Sequence, residues 1–254
     1  MSSSSSKATQ QPAWTPDVLV DPHRRADKAQ RVEAMFDAIA PTYEKVNRLA
    51  TFGRDAAWRR VAVASAAPKP GEVVLDVCCG TGDMLREFAR QQPALRSLIG
   101  LDFSAQMLAS GTYEGTSLKP TLIRGDGLRL PLRDASVDVV SCSFGVRNFQ
   151  RLSDGIRELV RVLRPGGRLA ILEFANPSNP LLRAAFRTYC EVVLPRLGAW
   201  IARDRSGAYQ YLPKSIESFE TRESMTRIIR EAGCCSCRTQ SMNLGGVVLY
   251  AAAK

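Results

Sequence analysis

Leu75-Asp76-Val77-Cys78-Cys79-Gly80-Thr81-Gly82-Asp83 is the stretch on which the fold turns. Its first half closes an apolar run from Glu72 to Val77, whose valines and leucine predict a buried strand. Its second half turns through two glycines into a helical stretch from Asp83 to Arg90. An acidic strand end, a glycine turn and a helix N-terminus together suit ligand binding. Glycines let a ligand approach the backbone closely, and helix amides bind an anionic or carboxylate group. A plain tight turn is the bland alternative. A dinucleotide fingerprint needs a third glycine, and Leu85 stands in its place.

Reading outward, strand and helix patterns alternate. Ser97–Leu101, Thr121–Arg124, Val137–Cys142 and Arg168–Phe174 are predicted strands. Ser104 can cap a short helix through Ala109. Ile156, Leu159, Val160 and Leu163 mark an amphipathic helix that should stop at Pro165-Gly166-Gly167. Upstream, Val32, Met35, Phe36 and Ile39 fall on one helical face, with Pro41 as the stop and a second short helix over Trp58 to Val63. Leu181 to Ile201 reads as an apolar helix, and Ser236–Ser241 with Gly246–Ala252 as a terminal hairpin. The expected fold class is α/β: a mostly parallel seven-stranded Rossmann-like sheet, helices on both faces, and a C-terminal antiparallel hairpin.

With 254 residues, 45% hydrophobic and 24% charged, the chain is an ordinary globular one, not disordered, collagenous or disulfide-dense. No window reaches about 18 apolar residues, so no spanning helix is expected. Seven cysteines with two adjacent pairs, and His23 as the only histidine, give no disulfide framework and no zinc spacing with histidine. A reducing, cytoplasmic setting is expected. Residues 1–30 are expected to be a disordered tail and 31–254 one domain. The serine-rich, acid-poor start also admits a plastid transit peptide. The net charge of +10 suits nucleic acid, an anionic membrane or an acidic ligand without choosing among them.

Two further acids weight the glycine turn toward a site. Asp102 ends the next strand, 20 residues after Gly82, where a carboxylate can accept both hydroxyls of a ribose. Asp126 ends the third strand and could bind an adenine amino group. With Asp76 they place negative charge at three successive strand ends. That charge suits a cationic sulfonium better than a pyrophosphate, so S-adenosylmethionine (SAM) is expected over NAD.

The glycine-turn stretch, Ser143-Phe144-Gly145-Val146-Arg147-Asn148 and Arg161-Val162-Leu163-Arg164-Pro165-Gly166-Gly167 resemble the class I SAM-dependent methyltransferases that C-methylate prenylated quinols in menaquinone and ubiquinone synthesis. Phe36-Asp37-Ala38-Ile39-Ala40-Pro41-Thr42-Tyr43 with Asn47, Tyr211-Leu212-Pro213-Lys214-Ser215-Ile216 and Asn243-Leu244-Gly245-Gly246-Val247-Val248 match as well. The Cys78-Cys79 form looks more like the menaquinone or plastid phylloquinone branch. Where many relatives carry a histidine before Trp58, this chain has Arg54-Asp55-Ala56-Ala57.

By position, the resemblance implies cofactor contacts at Thr81, Asp102, Asp126, Gly127 and Ser143, with Gly80 and Gly82 shaping the loop. It implies a reaction that is an in-line methyl transfer to a ring carbon made nucleophilic by loss of a neighbouring hydroxyl proton. Arg147 and Asn148 would orient that hydroxyl and stabilise its charge, and Tyr43 would close the site. The expected acceptor is demethylmenaquinol; a benzoquinol of ubiquinone synthesis and a demethylphylloquinol are the alternatives. Leu181, Leu182, Phe186, Tyr189, Val193 and Trp200 could cover an apolar tail. Arg183, Arg187, Arg196, Arg203 and Arg205 could face a membrane surface peripherally. No aromatic-and-basic nucleic-acid motif is found, so nucleic acid is not an expected partner. A homodimer is left open.

Overall fold

The computed structural model describes residues 13–113, 116–193, 196 and 206–254. Strand β1 (Val73–Val77) is buried at every position, which its run of valine and leucine requires. Parallel β2 (Ser97–Asp102) and β4 (Val137–Ser143) flank it, pairing Val77 with Leu101 on one side and with Cys142 on the other. With β3 (Thr121–Arg124), β5 (Leu163–Phe174), β6 (Ser236–Met242) and β7 (Val247–Ala253), the sheet order is β3-β2-β1-β4-β5-β7-β6. Only β7 runs against its neighbours, so the mostly parallel sheet ends in an antiparallel hairpin. The order reverses between β1 and β4, which opens a crevice at their carboxyl ends.

The faces follow from period-two alternation along the strands. Leu75 and Val140 point into a cluster with Ile156, Leu159 and Val160 of α6 (Leu152–Val162) and with Met225 and Ile229 of α9 (Arg222–Glu231). Val74 and Val139 point the other way, onto Trp58 and Val63 of α3 (Arg54–Ala66) and Leu85 and Phe88 of α4 (Asp83–Gln91). A third cluster sits over the carboxyl edge. It joins Val32, Met35 and Ile39 of α1 (Lys28–Ile39), Met107 of α5 (Ala105–Ser110) and Tyr211 of α8 (Ala208–Glu217). Ser104 caps α5 as expected, its Oγ accepting the Met107 amide at 3.1 Å.

Several expectations need correction. Within the described part of the supposed tail, Trp14 is 1% exposed and stacks on Tyr211 at 4.4 Å, so the chain packs from Ala13 onward. Burying an aromatic of this size supplies what local pattern does not, since removing one costs about 3–5 kcal/mol. Pro165-Gly166-Gly167 does not lie outside the sheet. It forms a bulge within β5, which pairs Leu163 with Val137 and then Arg168 with Val139. The helix expected over Leu181 to Ile201 is α7 (Pro180–Thr188) followed by a π turn at Tyr189–Val193. Trp200, Arg203 and Arg205 lie outside the described residues. Helix α2 (Tyr43–Ala50), which buries only Val46, was not anticipated, nor were α8 and α9. Among the described residues no helix is long and apolar enough to cross a membrane.

Candidate active site

The glycine turn leaves β1 in left-handed backbone at Cys78, Gly80 and Gly82, with φ of 57°, 55° and 89°. Gly82 has no substitute: a Cβ there would lie 2.3 Å from the Tyr113 hydroxyl. The turn is stapled to β2 by Asp102, whose Oδ2 accepts the Gly80 amide at 2.7 Å and whose Oδ1 accepts the Ser104 amide at 2.8 Å. Burial pushes the Asp102 carboxyl up, and these amides pull it back only in part. At the end of β3, Asp126 Oδ1 accepts the Leu128 amide at 2.9 Å.

Cys78, Gly80, Asp102, Ser104 and Asp126 border a cleft of about 90 Å³ at the carboxyl edge, together with Tyr43, Ser143 and Asn148. Among the described residues around it are three carboxylates, Glu33, Asp102 and Asp126, and no lysine, arginine or histidine. Phe103, Met107, Leu128 and Phe149 supply apolar walls. Ser143 Oγ and Thr81 Oγ1 are buried without a hydrogen-bond partner at the same edge. Buried hydroxyls are nearly always satisfied, so the Ser143 hydroxyl left over on the cleft wall fits a polar ligand. The acid-only lining fits a cationic nucleoside and opposes a pyrophosphate. Asp102 and Asp126 would hold ribose and adenine, and Ser143 would stand near the sulfur.

The other expected cofactor residues stand behind this lining. Asp76 is 1% exposed within β1, and its Oδ1 accepts the Ser141 hydroxyl at 2.5 Å. Burial pushes its carboxyl up to about 7. It braces β1 against β4 under the turn rather than facing the cleft. Gly127 lies close under the Phe149 ring, where a Cβ would come within 2.7 Å. Thr81 and Gly82 belong to the turn that α4 continues.

Next to the cleft lies a second cavity of about 440 Å³, and Phe36, Tyr43 and Phe144 border both. Its wall is aromatic: Trp58, Phe174, Tyr189 and Tyr211 join the shared rings. Arg147 enters this wall at 6% exposure. Its Nη1 donates to Glu173 Oε1 at 2.7 Å and to Phe144 O at 2.6 Å, with the guanidinium 5.5 Å above the Phe174 ring. Burial alone would lower the Arg147 pKa; the Glu173 carboxylate more than offsets it. Tyr43 turns its remaining surface to the cavities rather than to bulk solvent. Burial raises its hydroxyl pKa, with Arg59 and Arg147 pulling the other way, so it is a neutral donor at pH 7.

Glu33 of the cleft, Glu173 and Arg59 are site residues that the sequence reading missed. Glu173 is 0% exposed, and a lone acid inside the apolar run of β5 was a readable signal. Arg59 is held by Asp55 at 2.5 Å and by Asp83 at 3.0 Å, which ties α3 to the first turn of α4. The Asp55/Arg59 spacing of one helical turn announced that pair. His23 is outside both cavities. Its Nε2 bonds Ser215 O at 2.9 Å, and burial lowers its pKa.

Comparisons with known proteins agree with this geometry. The model of the ubiE/COQ5 methyltransferase family matches residues 24–254. A demethylmenaquinone methyltransferase of Deinococcus radiodurans is 43% identical over 211 residues, 82% of this chain and 87% of that protein. A ubiquinone/menaquinone biosynthesis C-methyltransferase UbiE of Geobacter sulfurreducens is 36% identical over 245 residues, 94% of each. The solved SAM-dependent methyltransferase of Aquifex aeolicus shares the fold, with a TM-score of 0.57 at 18% identity, covering 83% of this chain and 97% of that one. The chain therefore belongs to the ubiE/COQ5 methyltransferase family and is a SAM-dependent methyltransferase of quinone biosynthesis.

Proposed function

We propose that the protein C-methylates demethylmenaquinol to menaquinol. The observation that carries this reading is the aromatic cavity of about 440 Å³ set against the acidic cleft, with Tyr43 and Phe144 as common wall. SAM, when bound, supplies a methyl group already activated by its sulfonium. The chain's own residues have the acceptor to prepare. A flat bicyclic quinol suits the rings of Trp58, Phe144 and Phe174, and the prenyl tail can leave past Phe186 and Tyr189.

Arg147 places a fixed positive charge in the cavity, which lowers the pKa of an acceptor hydroxyl and holds the resulting oxyanion. As that oxygen releases electron density, the neighbouring ring carbon forms the new C–C bond and the sulfur–carbon bond breaks. The ring proton leaves last, restoring aromaticity. Asp55 is a poor base for either proton, because Arg59 and the Thr51 hydroxyl hold its carboxyl below its ordinary value. Activation thus rests on the guanidinium, with solvent as the proton's destination.

The test is an anaerobic assay of the purified enzyme with SAM and a short-chain demethylmenaquinol. Methylated quinol and S-adenosylhomocysteine should form one for one, and the oxidised quinone should not react. Enzyme that binds S-adenosylhomocysteine but methylates only a benzoquinol, or no quinol, overturns the naphthoquinol assignment. The 43% identity to the Deinococcus radiodurans protein favours the naphthoquinol. Work at a membrane face belongs to the same proposal, since the acceptor is a lipid.

A further inference from the structure

Lys28 borders neither cavity, yet it is 2% exposed, and burial lowers its pKa to about 8, which leaves it mainly an ammonium at pH 7. An ammonium has three N–H donors, and Lys28 Nζ has three acceptors. They are Arg147 O at 2.8 Å, Phe149 O at 2.6 Å and His23 Nδ1 at 3.1 Å. Because Nδ1 accepts, the imidazole proton lies on Nε2, which donates to Ser215 O of α8. The two carbonyls held by Lys28 bracket Asn148.

Asn148 is held from its other side as well. The Tyr211 hydroxyl donates to Asn148 Oδ1 at 2.9 Å. Phe144 O, which can only accept, faces Asn148 Nδ2 at 3.4 Å. The amide therefore has one orientation. Trp14 backs Tyr211, ring on ring at 24°, and its own amide donates to Ser206 O at 3.1 Å.

The loop so gripped is a three-residue turn, Val146–Asn148, with Arg147 in the acceptor cavity and Asn148 in the donor cleft. So short a turn has no helix or strand of its own to hold its geometry, so the hold must come from outside. We propose that Lys28 and Tyr211 are positioning residues, which lock Asn148 and the Arg147 backbone where donor and acceptor meet. This rests on the acceptor site proposed above. The stretch from Trp14 to Lys28 is then a strap that completes the active site.

The test uses the full chain with SAM and a short-chain demethylmenaquinol. Tyr211→Phe removes one hydroxyl and Lys28→Met removes the three donors at similar length. A displacement of about 1 Å at a reacting centre costs up to about 100-fold, so kcat should fall about 10-fold or more in each. The dissociation constant of S-adenosylhomocysteine should stay within about twofold, a split that general destabilisation does not produce. Hydrogen–deuterium exchange over residues 144–149 should rise in Lys28→Met while β1 stays at the wild-type level, and this needs no turnover. Wild-type kcat in Tyr211→Phe, with unchanged exchange in Lys28→Met, overturns the proposal. Wild-type enzyme that methylates no quinol overturns the acceptor assignment instead, and the exchange measurement still decides whether Lys28 holds the loop. Should Lys28→Met fail to fold, kcat of Tyr211→Phe decides.

Discussion

Asp102→Asn tests whether one carboxylate does two jobs, stapling the turn and holding a ribose. Its oxygens accept the Gly80 amide at 2.7 Å and the Ser104 amide at 2.8 Å. A carboxylate has about four lone-pair directions, so two remain for a ribose. Asparagine keeps one oxygen and must turn its NH2 toward one of those amides, donor against donor. A hydrogen bond to a charged group contributes about 1.5–3 kcal/mol. One backbone bond is lost whether or not ligand is bound, at a cost of about 2 kcal/mol, and removal of the buried charge offsets part of that loss in unfolding free energy. One ribose bond is lost on binding, which weakens S-adenosylhomocysteine by about 2 kcal/mol, or about 30-fold. Urea unfolding and titration calorimetry on the same samples measure the two losses separately. A folded variant that loses stability but binds S-adenosylhomocysteine within about twofold of wild type refutes the reasoning. Asp102 would then staple the turn and nothing more.

Asp76 should make stability fall with rising pH. Its carboxyl titrates at about 7 when folded against 3.8 when free, so the folded state resists ionising and the cost accrues between those values. At about 1.36 kcal/mol per unit the full cost above pH 7 is about 4 kcal/mol, which Asp76→Asn removes. The variant should gain on wild type in urea unfolding as pH rises from about 5 to about 8, and parallel curves would sink the assignment. Arg147→Lys keeps a charge opposite Glu173 but cannot also reach Phe144 O. Its kcat should fall about 100-fold or more with S-adenosylhomocysteine affinity unchanged, and equal losses of both would argue against an acceptor role. Phe52, Leu181 and Leu244 are 81%, 82% and 75% exposed, and Arg183 and Arg187 are exposed on α7. Weak binding to anionic vesicles in a flotation assay, lost at about 0.5 M salt, is expected; absence of binding at every salt concentration counts against a membrane face.

The parallel core was legible because it is written in local pattern. Buried β1, β2 and β4 read as apolar runs, and the residues at or just past their carboxyl ends, Gly80, Asp102 and Ser143, come to one edge by topology alone. What lay on that edge was harder. Asp76 looked equivalent to Asp102 because both close strands, but Asp76 is the penultimate residue of β1 and Asp102 the last of β2. The register pairs Asp76 with Gly100, so the two carboxylates share a face and Asp76 lies one pleat deeper than Asp102, under the turn and against Ser141. Trp14 and Lys28 were unreadable for another reason. Their partners, Tyr211 and Arg147, are distant in sequence, and a buried lysine has no local signature. Two of the three cleft acids, Asp102 and Asp126, could be read from their strand ends; Glu33 and the stretch from Trp14 to Lys28 reach the site only through tertiary packing.

The charge layout bears on why the two cavities share aromatic walls. A sulfonium and a quinol oxyanion react to give neutral products, so the transition state carries less charge than the reactants. Water stabilises the separated charges and so raises the barrier, which makes exclusion of water at the meeting point favourable. Phe36, Tyr43 and Phe144 stand at that junction. The carboxylates must not undo this gain by gripping the sulfonium itself. On the assignment above Asp102 and Asp126, each already bonded to a backbone amide, would hold ribose and adenine, and the neutral Ser143 hydroxyl would be left for the sulfur side. On the other side, Arg147 is ion-paired with Glu173, which would moderate its hold on an oxyanion too. On this assignment the donor would be gripped away from its sulfur, Arg147 would be the charge set beside the acceptor ring, and neutral rings would line the junction. An acid introduced at the junction, as in Phe144→Glu, should leave donor affinity intact or raise it while lowering kcat, because it would stabilise the reactant charge more than the transition state.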